Sequence, residues 1–305
     1  MLPAPIKDTD SSSILSNHTC QHLSFAEIQS ATNNFDANLV IGHGGFGKVY
    51  KCPITIGKME IPIGKLEIKP EEFDHPNLVK LLGYCLDNHK LFCVYEEISG
   101  ITLDKYLYGE PRRTSLSWVA RLKIAIGAGE GLFYLHKRNR PAFSQFKTNF
   151  ILVDTDFNAR LSDFNFDPHM FQLEAYYASP EWFHYEADTF DGLLPWQYGF
   201  AMKSEIYALG VVLLEILTGM KVYDKCRPLG KKKLVEWAIP LLSDEGNLGM
   251  IMDPQLQHND CPPKGAFKLA QLVSNCLQPE QDKRPSMEQI LLVLHHCYQE
   301  EIKMV

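Results

Sequence analysis

The chain has 305 residues, 45% hydrophobic and 22% charged, a globular composition with enough apolar material for two separately packed lobes. A formal net charge of -7 argues against a nucleic-acid or anionic-membrane surface as the main partner, and the basic run Lys231, Lys232 and Lys233 reads as a solvated loop. Eight scattered cysteines without a C-x-x-C pair fit a reducing compartment, and neither His18, Cys20 and His22 nor His295, His296 and Cys297 has the complementary pair that structural zinc needs.

Taken in order, residues 1–22 are rich in Ser, Asp and Pro and read as a flexible leader, with no signal-peptide core and with Leu2 in place of the glycine that N-myristoylation requires. Ser24-Phe25-Ala26-Glu27 makes a capping box, which opens a short helix with Phe25, Ile28, Ala31 and Phe35 on related faces. Gly42-His43-Gly44-Gly45-Phe46-Gly47-Lys48-Val49 follows the pattern G-x-G-x-x-G-x-V, in which missing Cβ atoms let backbone amides approach phosphate oxygens. A hairpin turn that keeps its glycines for geometry alone is the bland reading of the same residues. Residues 78–85 and 91–97 read as strands; Leu103, Tyr106 and Leu107 suit a short helix and residues 116–136 a long buried one. The longest apolar stretch, 207–217, is too short to span a bilayer and contains Glu215.

Residues 143–165 read F-S-Q-F-K-T-N-F-I-L-V-D-T-D-F-N-A-R-L-S-D-F-N. Together with the glycine pattern, this stretch resembles the catalytic core of the protein kinase family, H-R-D-x-K-x-x-N followed one strand later by D-F-G. The phrase S-F-A-E-I-Q-S-A-T-N-N-F-D resembles the segment before the kinase domain in plant receptor-like kinases. The resemblance covers about residues 23–300 and implies an α+β, two-lobed fold. Behind the leader it implies an extension helix at 23–38, a small antiparallel β-sheet lobe at 39–96, and a mainly helical lobe at 97–305. ATP and Mg²⁺ would be the cofactors, with Gly42, Gly44, Gly45, Gly47, Val49, Tyr95 and Glu96 around the nucleotide.

Set on that pattern, the reactive positions are mostly substituted. Gln145 occupies the base position, where an amide cannot accept a proton, and positioned proton transfer is typically worth ~10²–10⁴-fold in rate. Lys147 matches the loop lysine and Asp163 the metal-binding aspartate, but Phe150 stands where the second metal ligand belongs and Asn149 is one residue early. Asn165 replaces the turn glycine, and Ser144 replaces the arginine that captures an activation-loop phosphate; the segment 166–179 has no Thr and a single Ser. Ile61-Pro62-Ile63-Gly64-Lys65-Leu66 aligns with the family's V-A-I-K strand, so Gly64 takes the lysine's place and Lys65 reaches phosphate only if a bulge rotates it. Eight residues, 67–74, then precede His75-Pro76-Asn77, too few for the regulatory helix, though a missing exon would leave the same gap. Glu205 replaces the anchoring Asp of the central helix, and Arg284 is placed to pair with Glu181.

The resemblance therefore implies a pseudokinase that serves as scaffold, decoy or allosteric partner of other kinases, receptors or immune-signalling proteins. It implies no nucleic-acid partner, no transmembrane segment, and a cytoplasmic location from which a partner would recruit the chain to the plasma membrane. The alternatives are an active serine/threonine kinase with rearranged parts and a non-functional product of a decayed gene.

Overall fold

The computed structural model describes residues 20–44, 47–51, 55–60, 73–88, 90–97, 100–109, 116–138, 146–162, 195–256 and 262–303. The chain enters through β1 (Gln21–His22) and α1 (Phe25–Ala31). Ser24 caps α1 in both directions, its Oγ accepting from Glu27 N at 3.3 Å while Glu27 Oε2 accepts from Ser24 N at 2.7 Å. Asn33, Asn34 and Phe35 then turn the chain with positive φ of 47°, 58° and 59°. Asn accepts that region readily, whereas Phe35 is held there by stacking on Phe25 and Phe92.

Five further strands follow: β2 (Val40–Gly44), β3 (Gly47–Lys51), β4 (Thr55–Glu60), β5 (Leu81–Asp87) and β6 (Lys90–Tyr95). The sheet order is β1-β5-β6-β4-β3-β2, and every pairing is antiparallel except the parallel addition of β1 to β5. Alternation along β6 divides the apolar residues between two faces. Phe92 and Val94 meet Cys85 and Ile28 under α1, while Leu91, Cys93 and Tyr95 join Val79 and Leu81 on the other side.

The lysine strand expected at 61–66 lies outside the described residues, and the strand that pairs with both β3 and β6 is β4, six residues earlier. Cys52, Pro53 and Ile54 suffice to join it to β3. The interval before His75 is then fourteen residues, 61–74, instead of eight.

The second lobe comprises β7 (Gly100–Thr102), α2 (Leu103–Tyr108), α3 (Trp118–His136), β8 (Ile151–Asp154), β9 (Ala159–Leu161), α4 (Pro195–Thr218), α5 (Leu234–Ala238), α6 (Leu248–Ile251), α7 (Ala266–Cys276) and α8 (Met287–Ile302). α3 is apolar on most sides and correspondingly buried, packed on α8 and β9, while α4 packs on α7. In the small sheet β7-β8-β9 the central strand is β8, and residues 146–150 lead into it. Residues 75–79 tie the lobes together: Val79 N donates to Leu161 O at 2.9 Å, Leu161 N to Asn77 O at 2.8 Å, and Asn77 Nδ2 to Ala159 O at 2.9 Å. Glycine is required on α3 here, because a Cβ at Gly127 or Gly131 would come within 2.7 or 2.8 Å of Asn77.

Candidate functional site

The glycine pattern forms the β2–β3 hairpin, with Gly44 paired to Gly47; Gly45 and Phe46 lie outside the described residues. Val49 is opposite Gly57 on β4, and Lys58 is in register with Phe92. In β4 it is thus Gly57, and not Lys58, that stands at the register position of Val49; Lys65 lies outside the described residues.

β6 ends at the buried Tyr95, and the two acids after it are both engaged. Glu96 N donates to Lys80 O at 3.0 Å, and Glu96 Oε1 accepts from Lys80 N at 3.0 Å and from Arg160 Nη1 at 2.8 Å. Glu97 Oε1 lies 2.8 Å from Lys51 Nζ. The connection between lobes is thereby fastened to β9 through Arg160 and to β3 through Lys51, each an ion pair open to water and worth at most about 1 kcal/mol.

In the loop entering β8, side chains alternate between interior and surface. Phe146, Thr148 and Phe150 are buried and Asn149 is exposed. Phe150 is 5% exposed, and the Lys147 ammonium stands 5.1 Å from its ring centroid. Phe150 O accepts from Ser162 N at 2.9 Å and from Ser162 Oγ at 3.3 Å, so the residue just before Asp163 is anchored to the residue that replaces the second metal ligand. Thr148 Oγ1 is 2.8 Å from Tyr108 Oη, which donates to Glu215 Oε1 at 3.2 Å; Val222 N donates to the same oxygen at 2.9 Å. Burial, with the Glu215 carboxylate second, drives the Tyr108 phenol pKa far up, so the phenol stays protonated as it holds the loop from below.

Gln145, Ser144, Asp163, Asn165 and Glu181 lie outside the described residues. Glu205 and Arg284 are among the described residues, whereas Glu181, the expected partner of Arg284, is not. Glu205 on α4 is buried, with Oε2 2.6 Å from His136 Nε2. Arg284 donates to the carbonyls of Gln278, Lys203 and Pro279 at 2.8, 3.0 and 3.0 Å and covers the Tyr207 ring.

This two-lobed arrangement coincides with sequence likeness. Residues 67–294 match the family described as protein tyrosine and serine/threonine kinase. The chain belongs to the protein kinase family. Among its relatives in Arabidopsis thaliana, the probable serine/threonine-protein kinase PBL10 is 36% identical over 93% of this chain and 74% of that protein. The probable serine/threonine-protein kinase PBL6 is 34% identical over 95% and 72%, and the receptor-like kinase LIP1 is 32% identical over 88% and 45%.

Family members use ATP with Mg²⁺, and the residues here fit that pair unevenly. The glycine hairpin and Lys147 are kept, but a buried phenyl ring offers no oxygen to a second cation, and exposed Asn149 is out of step. Sequence reasoning missed Lys51, Glu97 and Arg160. Nothing in the sequence marks these three as partners, but the β-branched pair Thr55-Ile56 was a legible strand signal for β4.

Proposed function

We propose that this kinase-family chain is a catalytically impaired, plant receptor-like cytoplasmic type, a pseudokinase that works as scaffold, decoy or allosteric partner of active kinases, receptors or immune-signalling proteins. In this reading it resides in the cytoplasm, a partner brings it to the plasma membrane, and it binds ATP and Mg²⁺ weakly or not at all. The observation that carries the reading is Phe150: its ring is buried at the place of a metal ligand and takes the loop lysine onto its face. Gln145 compounds the loss, since without a base and a second metal ligand neither the hydroxyl nor the transferring phosphoryl group is held for in-line attack.

Incubation with radiolabelled ATP and Mg²⁺ or Mn²⁺ is expected to label neither the chain nor a generic protein substrate. Labelling that disappears in Asp163→Ala would overturn the proposal.

The second reading is an active serine/threonine kinase, favoured by the kinase names of the relatives. Electrostatics and positioning supply most of this chemistry, so substrate-assisted proton transfer is physically admissible. A thermal-shift titration separates the two. Stabilisation by ATP with metal that Asp163→Ala removes, accompanied by turnover, would establish this second reading; the absence of both excludes it.

A further inference from the structure

The segment between α4 and α5 is strongly basic. Between Gly219 and Lys233 the segment carries Lys221, Lys225, Arg227, Lys231, Lys232 and Lys233 and one acid, Asp224, in a chain whose net charge is -7; Lys233 is paired with Glu236 of α5 at 2.6 Å. Its backbone is closed on itself. Tyr223 and Lys233 form an antiparallel bridge, Asp224 N donates to Lys232 O at 3.0 Å, Leu234 N to Val222 O at 2.8 Å, and Lys231 N to Pro228 O at 2.9 Å. Arg227 points inward, donating to Lys231 O at 3.1 Å and to Lys221 O, while Asp224 Oδ1 accepts from Cys226 N at 2.8 Å. The internal cation and the single acid therefore brace the loop, and the lysines are left at its surface. At the tip stands Leu229, 93% exposed, followed by Gly230 with φ of 86° and nothing within 4 Å of a Cβ built there.

We infer that this loop is a contact for anionic bilayer surfaces, with Leu229 entering the interface and the surrounding lysines meeting acidic headgroups. A lone projecting leucine has no cleft of its own to fill, and a fluid interface accepts such a side chain without shape complementarity. Lys221, Lys225 and Lys231 are exposed around it, within reach of headgroup phosphates over a screening length of about 8 Å at physiological salt. The closed backbone presents the tip already ordered, so little conformational freedom is lost on contact. Lys231 and Lys221 also rest over Trp237 and Tyr108, at 5.1 and 5.5 Å from the ring centroids, which keeps their charge beside the protrusion. Overall charge argues against a membrane as main partner, but a surface field is felt locally, and here the local sign is positive. This contact is independent of whether phosphoryl transfer occurs.

Flotation of the purified chain with vesicles of phosphatidylcholine plus phosphatidylserine tests it, against phosphatidylcholine alone. Binding is expected only with the anionic lipid and should weaken at high salt. Joint replacement Lys221→Ala, Lys225→Ala and Lys231→Ala should lower partitioning by roughly two orders of magnitude, at about one kcal/mol per cation. Leu229→Asp should abolish it while leaving the melting temperature unchanged, because that side chain touches nothing. Absence of binding to the anionic vesicles, or binding indifferent to both changes, overturns the inference. Equal competition by soluble polyglutamate for the wild-type chain and for Leu229→Asp also overturns it, by assigning the loop to an acidic protein.

Discussion

Arg121 is 2% exposed in α3 and remains charged there because each edge of its guanidinium is engaged: Nε donates to Leu116 O at 3.1 Å, Nη1 to Ile216 O at 2.7 Å, and Nη2 to Asp253 Oδ2 at 2.6 Å. Asp253 is equally buried and receives Gln255 N at 3.0 Å. Removing the acid alone would strand a cation away from water, so Asp253→Ala is expected to cost about 3–5 kcal/mol in urea unfolding, and replacing both partners with apolar residues considerably less. Equal losses for the single and double changes would show that packing around the pair, not charge burial, sets its contribution. The substitutions at Gln145 and Phe150 were legible because they sit inside a recognisable string. The partnership of Arg121 with Asp253 was not, because 132 residues separate them and only the fold brings them together.

Among the elements, α3 shows how a sequence that is apolar throughout finds its partners. Its R-L-K-I-A-I-G-A-G-E-G pattern offers no polar stripe, so burial was readable but direction was not. The glycines supply direction, admitting the 75–79 segment against the helix backbone. Gly131→Ala would push a methyl to 2.8 Å from Asn77 O and 3.0 Å from Leu161 Cδ1, a strain of about 1–3 kcal/mol that exceeds the better helix propensity of alanine. Gly249→Ala in α6 meets nothing within 4 Å and should instead stabilise by about 0.5–1 kcal/mol. Thermal melts of the two variants should therefore move in opposite directions, and a shift of the same sign would refute the packing argument. The capping box of α1 and the span of α3 were likewise readable from local signals. I-P-I-G-K-L was legible through its echo of the V-A-I-K string and lies outside the described residues, whereas the strand that pairs with both β3 and β6 is T-I-G-K-M-E. Motif likeness carries no information about which strand can reach two neighbours at once.

At the scale of the whole molecule, the chain before the glycine hairpin is part of the first lobe's structure. β1 adds a parallel strand to β5, and α1 lays Ile28 on Cys85, Phe92 and Val94, with Phe25 and Phe35 stacked around Phe92. Phe35 also reaches Tyr50 on β3, whose partner strand carries the glycines, so the same cluster braces the sheet from β5 to the hairpin. Each of these side chains is worth roughly 1.5–3 kcal/mol when fully buried. Ile28→Ala should cost about 2–5 kcal/mol by leaving a void under α1, and the loss should be local: hydrogen exchange is expected to accelerate in β5 and β6 while α3, α4 and α7 stay protected. Ile28 belongs to a cluster of its own, distinct from the large core built on α3 and α4, which is why the effect should remain on one side of the 75–79 tether. Uniform acceleration in both lobes would mean instead that the two cores unfold as one cooperative unit, and that the tether through Asn77 and Leu161 couples them more tightly than their separate packing suggests.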